Sequence, residues 1–299
     1  MKIKVILNPY ANRWNAKARL DEINQAFANV GLSPDIALTT MPGEGRVLAE
    51  TAVSDKYEAI IAAGGDGTIN EIINGILSQT DDGPTIPFGI LPIGTANDLA
   101  DMVNMPRDLT EVAKLVANGQ TRQIDVGQIN DHYFDNNCAL GMEPLVTLEH
   151  TKIKRVKGNL RYFLALVKAI AKLEAWHYQV EWDNGSFDGP ALMLSVCNSP
   201  RTGGLFFIAP EAKVDDGFLD FVLAPKMSKA KVLTLLPKLF SGKHVEDENV
   251  IYERATYITV SSEPGTPIHA DGELIAPSIK QANYKILPGK ITLFAPVGE

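Results

Sequence analysis

Residues 59–74 read AIIAAGGDGTINEIIN: a run of buried-strand residues, two glycines, an aspartate set between glycines, and then apolar positions at helical spacing. Ala59 to Ala63 predicts a strand buried on both faces, and Thr68 to Leu77 predicts an amphipathic helix. Glycines at such a junction let backbone N–H groups turn outward toward phosphate oxygens, and the helix N-terminus adds partial positive charge. Thr68 followed by Glu71 has the spacing of a capping box. Two glycines alone would only make a tight turn, but Asp66 inside the loop is what a nucleotide's Mg2+ would use. The loop has neither Gly-Lys-Ser/Thr nor G-x-G-x-x-G spacing, which disfavours a P-loop NTPase and a dinucleotide dehydrogenase.

Around this loop, strand and helix patterns alternate. Lys2 to Asn8, Ser33 to Thr40 and Phe88 to Leu91 read as strands, and Ala16 to Val30 and Arg46 to Ser54 as helices, which together imply a parallel sheet covered on both faces. A second cluster, LPIGTANDLA at Leu91 to Ala100, also follows a strand and supplies Gly94, Thr95, Asn97 and Asp98. In a parallel sheet, loops at the carboxyl ends of neighbouring strands converge on one crevice, so both clusters are expected to face one ligand. The plainer alternative gives Asn97 and Asp98 only the capping of the next helix.

Past Gln120 the pattern changes. Short strands parted by Gly, Pro, Asn and Asp run from Ile124 to Ala295, including Ala255 to Val260, Thr266 to Ala270, Gln281 to Ile286 and Ile291 to Ala295. This is the signature of an antiparallel sandwich or barrel, interrupted by helical patterns at Leu160 to Leu173 and Lys229 to Phe240. The fold class expected is therefore α/β plus all-β: a three-layer α/β/α parallel-sheet domain over residues 1–122, then a mostly antiparallel β-sandwich over 123–287.

The 299 residues suit two domains, and 45% hydrophobic with 21% charged residues excludes a disordered or collagen-like chain. Cys138 and Cys197 are too few for a disulfide scaffold, and no leader precedes the first strand, so a reducing cytoplasmic compartment is expected. The most apolar helical stretch, Leu160 to Trp176, carries Arg161, Lys168, Lys172 and Glu174, which excludes a membrane span. A net charge of −8 argues against nucleic-acid binding.

GGDGTINE at Gly64 to Glu71, the Asn8-Pro9 strand end and PIGTAND at Pro92 to Asp98 resemble the diacylglycerol kinase catalytic domain family, shared by bacterial lipid kinases, sphingosine kinases and ceramide kinases. The resemblance continues through Ile124 to Gly127, Phe134 to Gly141, Asn198 with Gly203-Gly204, Asp215 to Asp220 and Asp271-Gly272-Glu273, and so covers nearly the whole chain. NAD kinases resemble GGDGT as well, whereas GTAND with the late DDGxLD and DGE segments points to the lipid branch.

The resemblance implies an NAD-kinase-like ATP domain, with residues 288–299 packed back on it, and a lipid domain carrying DGE. It implies ATP and Mg2+ as cofactors. Gly64, Gly65, Asp66, Gly67, Thr68, Ile69, Asn70 and Glu71 would bind ATP phosphates together with Thr40, Gly94, Thr95, Asn97 and Asp98, and Asp66 would hold the catalytic Mg2+ through water. Glu273 or Asp271 would be the general base, the choice staying open, with Asp125 completing an acid network. Lys213 to Asp220 reads by itself as a hairpin turn; the resemblance makes it a structural Mg2+ or Ca2+ site formed by the Asp216 carboxylate and the backbone oxygens of Lys213 and Phe218.

The implied reaction is transfer of the ATP γ-phosphoryl group to a lipid hydroxyl, most simply diacylglycerol to phosphatidic acid. Alternatives are a sphingoid base, ceramide, phosphatidylglycerol, less readily NAD, or a non-catalytic nucleotide sensor, against which the two DGE carboxylates count. Lys152, Lys154, Arg155, Lys157 and Arg161 form a basic run without an acid. Its plain reading is a solvated face; docking on an anionic membrane surface is preferred, because the implied substrate lives there. The expectation is thus a cytoplasmic protein peripherally associated with the inner face of the membrane, with a homodimer left open. The five histidines share no metal-ligand spacing and are expected to be structural. Asn12 and Trp14 depart from the family pattern and leave the nucleotide edge undefined.

Overall fold

The computed structural model describes residues 1–11, 16–153, 156 and 159–296. The chain divides into two units, Met1–Val126 with Leu287–Glu299, and Gly127–Ile286. It therefore passes from one unit to the other twice.

In the first unit β1 (Ile3–Leu7) is followed by α1 (Leu20–Ala28), β2 (Asp35–Leu38), α2 (Glu44–Ser54), β3 (Ala59–Gly64), α3 (Asp66–Ser78), β4 (Phe88–Pro92), α4 (Asp98–Met102) and α5 (Leu109–Ala117). The strands are parallel in the order β4-β3-β1-β2. Every residue of β3 and β4 is buried, as a strand covered on both faces requires. Gly64 pairs with Pro92, so the chain leaves β3 and β4 side by side at their carboxyl ends. Helix α2 packs on α3 and α1 on α5. The first contact depends on Gly75, where a Cβ would lie 2.4 Å from the Arg46 carbonyl oxygen.

Strand β5 (Thr121–Ile129) leads into the second unit: β6 (His132–Phe134), β7 (Asn137–Gly141), α6 (Met142–Lys152), α7 (Asn159–Ala171), β8 (Trp176–Trp182), β9 (Gly185–Cys197), β10 (Leu219–Pro225), α8 (Lys229–Leu235), β11 (Ile251–Ala255), β12 (Tyr257–Ala270) and β13 (Glu273–Phe294). Short 3-10 turns at Leu236–Ser241 and Lys243–Glu246 follow α8. Pairing here is antiparallel, in the order β11-β10-β9-β7-β12-β13. Strands β8 and β7 share one slot between β9 and β12, β8 against their first halves and β7 against their second. Tyr178, Phe134, Phe221 and Tyr284 fill the core of this unit. The end of β13 returns to the first unit, where Leu293 pairs in parallel with Phe88.

Two sequence expectations are corrected. The strands read at Ala255 to Val260 and Thr266 to Ala270 belong mostly to the single β12, and those at Gln281 to Ile286 and Ile291 to Ala295 to the single β13. Glu263-Pro264-Gly265 and Pro288-Gly289, which look like separators, lie inside these long strands; in β12 the register shift between Ser261 and Thr266 absorbs the break. The helix after the glycine loop begins at Asp66 with Gly65 as its N-cap residue, so Thr68 sits inside the first turn and forms no capping box.

Candidate functional site

The two glycine-rich loops of the first unit meet backbone to backbone. A Cβ on Gly94 would stand 2.3 Å from the Gly65 Cα, and one on Gly64 would strike the Thr68 side chain at 2.6 Å. Asp66 ties the loops together: its Oδ2 accepts from the Asn97 N–H at 2.9 Å and its Oδ1 from the Asp98 N–H at 2.6 Å. Asn97 holds a left-handed conformation at φ 56° and folds its side chain back on Gly94, accepting from the Gly94 N–H and donating to its carbonyl. Asparagine tolerates that conformation better than most residues. Asn97 occupies the N-cap position of α4 but makes no side-chain cap hydrogen bond, so it shapes the loop rather than capping the helix.

The remaining predicted residues separate into two groups. Gly64, Gly65, Asp66, Gly67, Gly94 and the exposed Thr95 line the paired loops. Ile69 and Asn70 are buried, and Asn70 accepts from the Asn74 side chain one turn on. Thr68 is also buried, and its hydroxyl accepts from Asn8 Nδ2 at 2.9 Å. Glu71 turns to α2, where its two oxygens accept from the Gly43 and Gly45 N–H groups at 2.7 and 2.9 Å. A carboxylate there satisfies open helix N–H groups and complements the helix dipole. Thr40 donates its hydroxyl to Glu44, and Asp125 is buried and accepts from the Gly289 N–H in the returning segment at 2.7 Å.

In the second unit, DGE is a hairpin turn. Ala270 pairs with Glu273, and Asp271 and Gly272 between them hold φ of 46° and 81°. Two positive φ angles in a two-residue loop are the type I′ pattern that Asp-Gly favours. The Asp271 carboxylate accepts three consecutive backbone N–H groups, from Asp135, Asn136 and Asn137, at 2.9–3.0 Å, and its own N–H donates to the Asn137 carbonyl. Glu273 opens β13 with an exposed side chain.

Behind this turn lies a buried polar cluster that sequence reasoning missed. The Gly272 N–H donates to His269 Nδ1 at 3.3 Å, which leaves Nε2 carrying the proton toward Glu143 Oε2 at 3.3 Å. The same Glu143 oxygen accepts from Asn137 Nδ2 at 3.0 Å. Glu143 Oε1 is buried without a hydrogen-bond partner. Among the described residues, Glu143, Thr202 and His244 are the only polar ones lining a cavity otherwise walled by apolar side chains such as Val146, Leu192, Phe206, Val232, Leu236 and Leu239. Burial keeps His244 below its ordinary pKa, and its Nε2–H donates to the Ile208 carbonyl, so Nδ1 presents a bare lone pair. An acid in the first turn of α6 and a histidine two residues before DGE were the available signals, each too weak alone.

At the expected structural cation site a cationic side chain stands against the acidic turn. Asp216 is ion-paired with the Arg254 guanidinium and also accepts from the Phe218 N–H at 3.2 Å. Arg254 lies 4.7 Å over the Phe218 ring and 3.5 Å from Asp220 Oδ2. Burial pushes the Asp220 carboxyl above its ordinary pKa, against the pull of Tyr252 and Arg254. A guanidinium thus supplies the positive charge this acidic turn needs. Among the described residues no group of three or more His, Cys, Asp or Glu side chains is arranged to hold a metal ion.

Of the basic run, Lys154, Arg155 and Lys157, like Asn12 and Trp14, lie outside the described residues. Lys152 pairs with Glu149 at 3.0 Å, and Arg161 donates to the His150 carbonyl. The first pair lies within α6, and the second bond ties α7 to α6. Among the described residues no helix is long and apolar enough to cross a membrane.

Known proteins share these features. The diacylglycerol kinase catalytic domain matches residues 2–129, and the YegS C-terminal NAD kinase beta sandwich-like domain matches 136–295. The chain is 32% identical over 274 residues to the diacylglycerol kinase of Bacillus subtilis (strain 168), covering 91% of this chain and 89% of that one. It is 29% identical over 297 residues to the diacylglycerol kinase of Staphylococcus aureus (strain MRSA252), covering 99% and 92%. The crystal structure of a diacylglycerol kinase from Bacillus anthracis str. Sterne superposes with a TM-score of 0.75 at 21% identity, over 99% of this chain and 97% of that one, and so shares the fold. With motifs and fold in agreement along its length, the chain belongs to the diacylglycerol kinase catalytic domain family and is a lipid kinase.

Proposed function

We propose that this kinase transfers the γ-phosphoryl group of ATP to the free hydroxyl of diacylglycerol, giving phosphatidic acid and ADP, with Glu273 as the general base. The observation that carries the assignment is the state of Asp271: both of its oxygens accept main-chain N–H groups, so its work is to hold the turn. Glu273 is then the carboxylate of the motif that takes the hydroxyl proton as the oxygen attacks phosphorus. The paired glycine loops, with α3 opening at Asp66, are suited to nucleotide phosphates, because close backbone approach and a helix N-terminus favour anions. A divalent ion bound with the nucleotide would offset phosphate charge; Asp66, whose two oxygens already accept the Asn97 and Asp98 N–H groups, would meet it through water on its remaining lone pairs.

The cavity supports a neutral, hydroxyl-bearing lipid. Among the described residues its polar lining consists of two acceptors, Glu143 and His244 Nδ1, and the Thr202 hydroxyl, with no cation, so it suits hydroxyl donors over phosphate. Incubation with labelled ATP, Mg2+ and mixed micelles of diacylglycerol, sphingosine, ceramide or phosphatidylglycerol, with NAD as a separate acceptor, tests the proposal. Label in phosphatidic acid is expected. Label confined to another lipid would overturn the acceptor, and label in NAD alone would overturn the lipid-hydroxyl reading.

A further inference from the structure

From Lys226 to Val245 the chain carries five lysines and no acid, in a protein whose net charge is −8. The segment comprises α8 and the 3-10 turn Leu236–Ser241, and it has two apolar sides. Val232, Leu235, Leu236 and Leu239 face inward and wall the cavity described above. Leu233 and Phe240, by contrast, are 52% and 57% exposed. Beside Phe240 the chain from Thr202 to Phe207 brings up two more exposed apolar residues, Leu205 and Phe207. The Phe206 and Phe240 rings lie 5.1 Å apart, and the Phe207 N–H donates to the Leu239 carbonyl at 2.9 Å.

The lysines divide by role. Lys231 and Lys238 both pair with the nearly buried Asp247, at 2.9 and 3.3 Å, and pin the segment to the unit; hydrogen bonds from Asn249, joined by the two lysines, hold the Asp247 carboxyl well below its ordinary pKa. Lys226 and Lys243, near the two ends of the segment, make no ion pair among the described residues. Exposed aromatic and aliphatic side chains flanked by unpaired lysines are the composition of a surface that inserts shallowly into a lipid interface while its cations meet anionic headgroups.

We infer that the surface formed by Leu205, Phe207, Leu233 and Phe240, flanked by Lys226 and Lys243, is the face by which this kinase docks on an anionic bilayer. The cavity behind it decides in favour of a bilayer over a protein partner. One thin segment separates an interior suited to lipid from exposed apolar side chains, so a lipid leaving the membrane here has the shortest path inward. The cavity encloses about 90 Å3, well below the ~300–1,000 Å3 of pockets that hold drug-sized ligands. An acyl chain therefore enters only if the Leu236–Ser241 wall yields, which contact with the bilayer would favour. This surface is separate in sequence from the Lys152 to Arg161 run.

The inference rests on the diacylglycerol reading only for what enters the cavity. Sedimentation with sucrose-loaded vesicles of phosphatidylcholine and phosphatidylglycerol, free of diacylglycerol and nucleotide, tests the surface itself. The double variant Leu205→Ser/Phe240→Ser is expected to lower vesicle partitioning at least tenfold, and Lys226→Ser/Lys243→Ser to reduce it several-fold with loss of its salt dependence. Circular dichroism and melting temperature establish that each variant is folded. Unchanged partitioning of folded Leu205→Ser/Phe240→Ser, or a tenfold loss in Lys154→Ser/Lys157→Ser instead, would overturn the assignment. Because no turnover is measured, this outcome is independent of which lipid is phosphorylated.

Discussion

Gly65 and Gly94 stand so close that a methyl group on Gly94 would lie 2.3 Å from the Gly65 Cα. Neither loop can move outward without breaking the hydrogen bonds from Asn97 and Asp98 to Asp66. Gly94→Ala is therefore expected to push the loops apart, raising KM for ATP and lowering kcat/KM at least ~100-fold, as small misplacements of positioned groups do. Steady-state kinetics would check it; kinetics within threefold of the parent would contradict the contact.

The two DGE carboxylates are expected to fail differently. Glu273→Gln should leave the melting temperature unchanged and lower kcat by roughly 10²–10⁴, the usual contribution of a general base. Asp271→Asn replaces an acceptor-only carboxylate among three N–H donors, so it should cost both activity and stability, on the order of 1–3 kcal/mol. Paired thermal melts and single-turnover assays separate the two outcomes.

Arg254 is ion-paired with Asp216, the carboxylate at which a divalent ion was expected, and this pairing predicts a turn that is stable without the ion. Addition of EDTA to the nucleotide-free protein should leave its melting temperature unchanged. Arg254→Ala should lower it and, with Asp216 and Asp220 now uncompensated, make it rise again on titration with Mg2+ or Ca2+. A chelator-sensitive parent protein would refute this account.

Glu149 joins α6 to the end of α7 through Lys152 and Lys172, at 3.0 and 2.8 Å, and these lysines lower its pKa to about 2. The folded-state value lies below the 4.5 of an ordinary glutamate, so the stabilisation is complete above that pH and is lost as pH falls toward about 2. Both lysines are mostly exposed, which limits the benefit to about 1 kcal/mol. Glu149→Gln should thus melt roughly 2–4 °C lower at pH 7, the gap closing as the melts are repeated at progressively lower pH.

Apolar patterning exposes what is regular. The buried β3 and the glycine loop announce the parallel sheet and the paired-loop crest of the first unit, because a two-sided strand and a close backbone approach each demand particular residue types. Long strands hide better. Pro264 reads as a break because a shift in strand register leaves no mark in composition, and Gly289 because a single left-handed glycine inside a strand looks like a turn. The Glu143, His269 and Gly272 chain is invisible for a related reason: its members are 126 and 3 residues apart, and only the fold makes them neighbours. Glu71 shows the opposite error, a local capping pattern overridden by a helix start two residues upstream of Thr68 and a better partner in α2.

The segment from Leu287 supplies a strand to the first unit: Leu293 pairs with Phe88, the Thr85 N–H donates to the Lys290 carbonyl, and the Ala295 N–H to the Gln120 carbonyl. During synthesis, then, the unit begun first is finished last. Its sheet lacks an edge until residues 287–296 have cleared the ribosome, by which time all of Gly127–Ile286 has been made. A nascent chain of this kinase would complete its second unit before its first, and a chain stalled short of Leu287 would lack the strand that pairs beside Phe88.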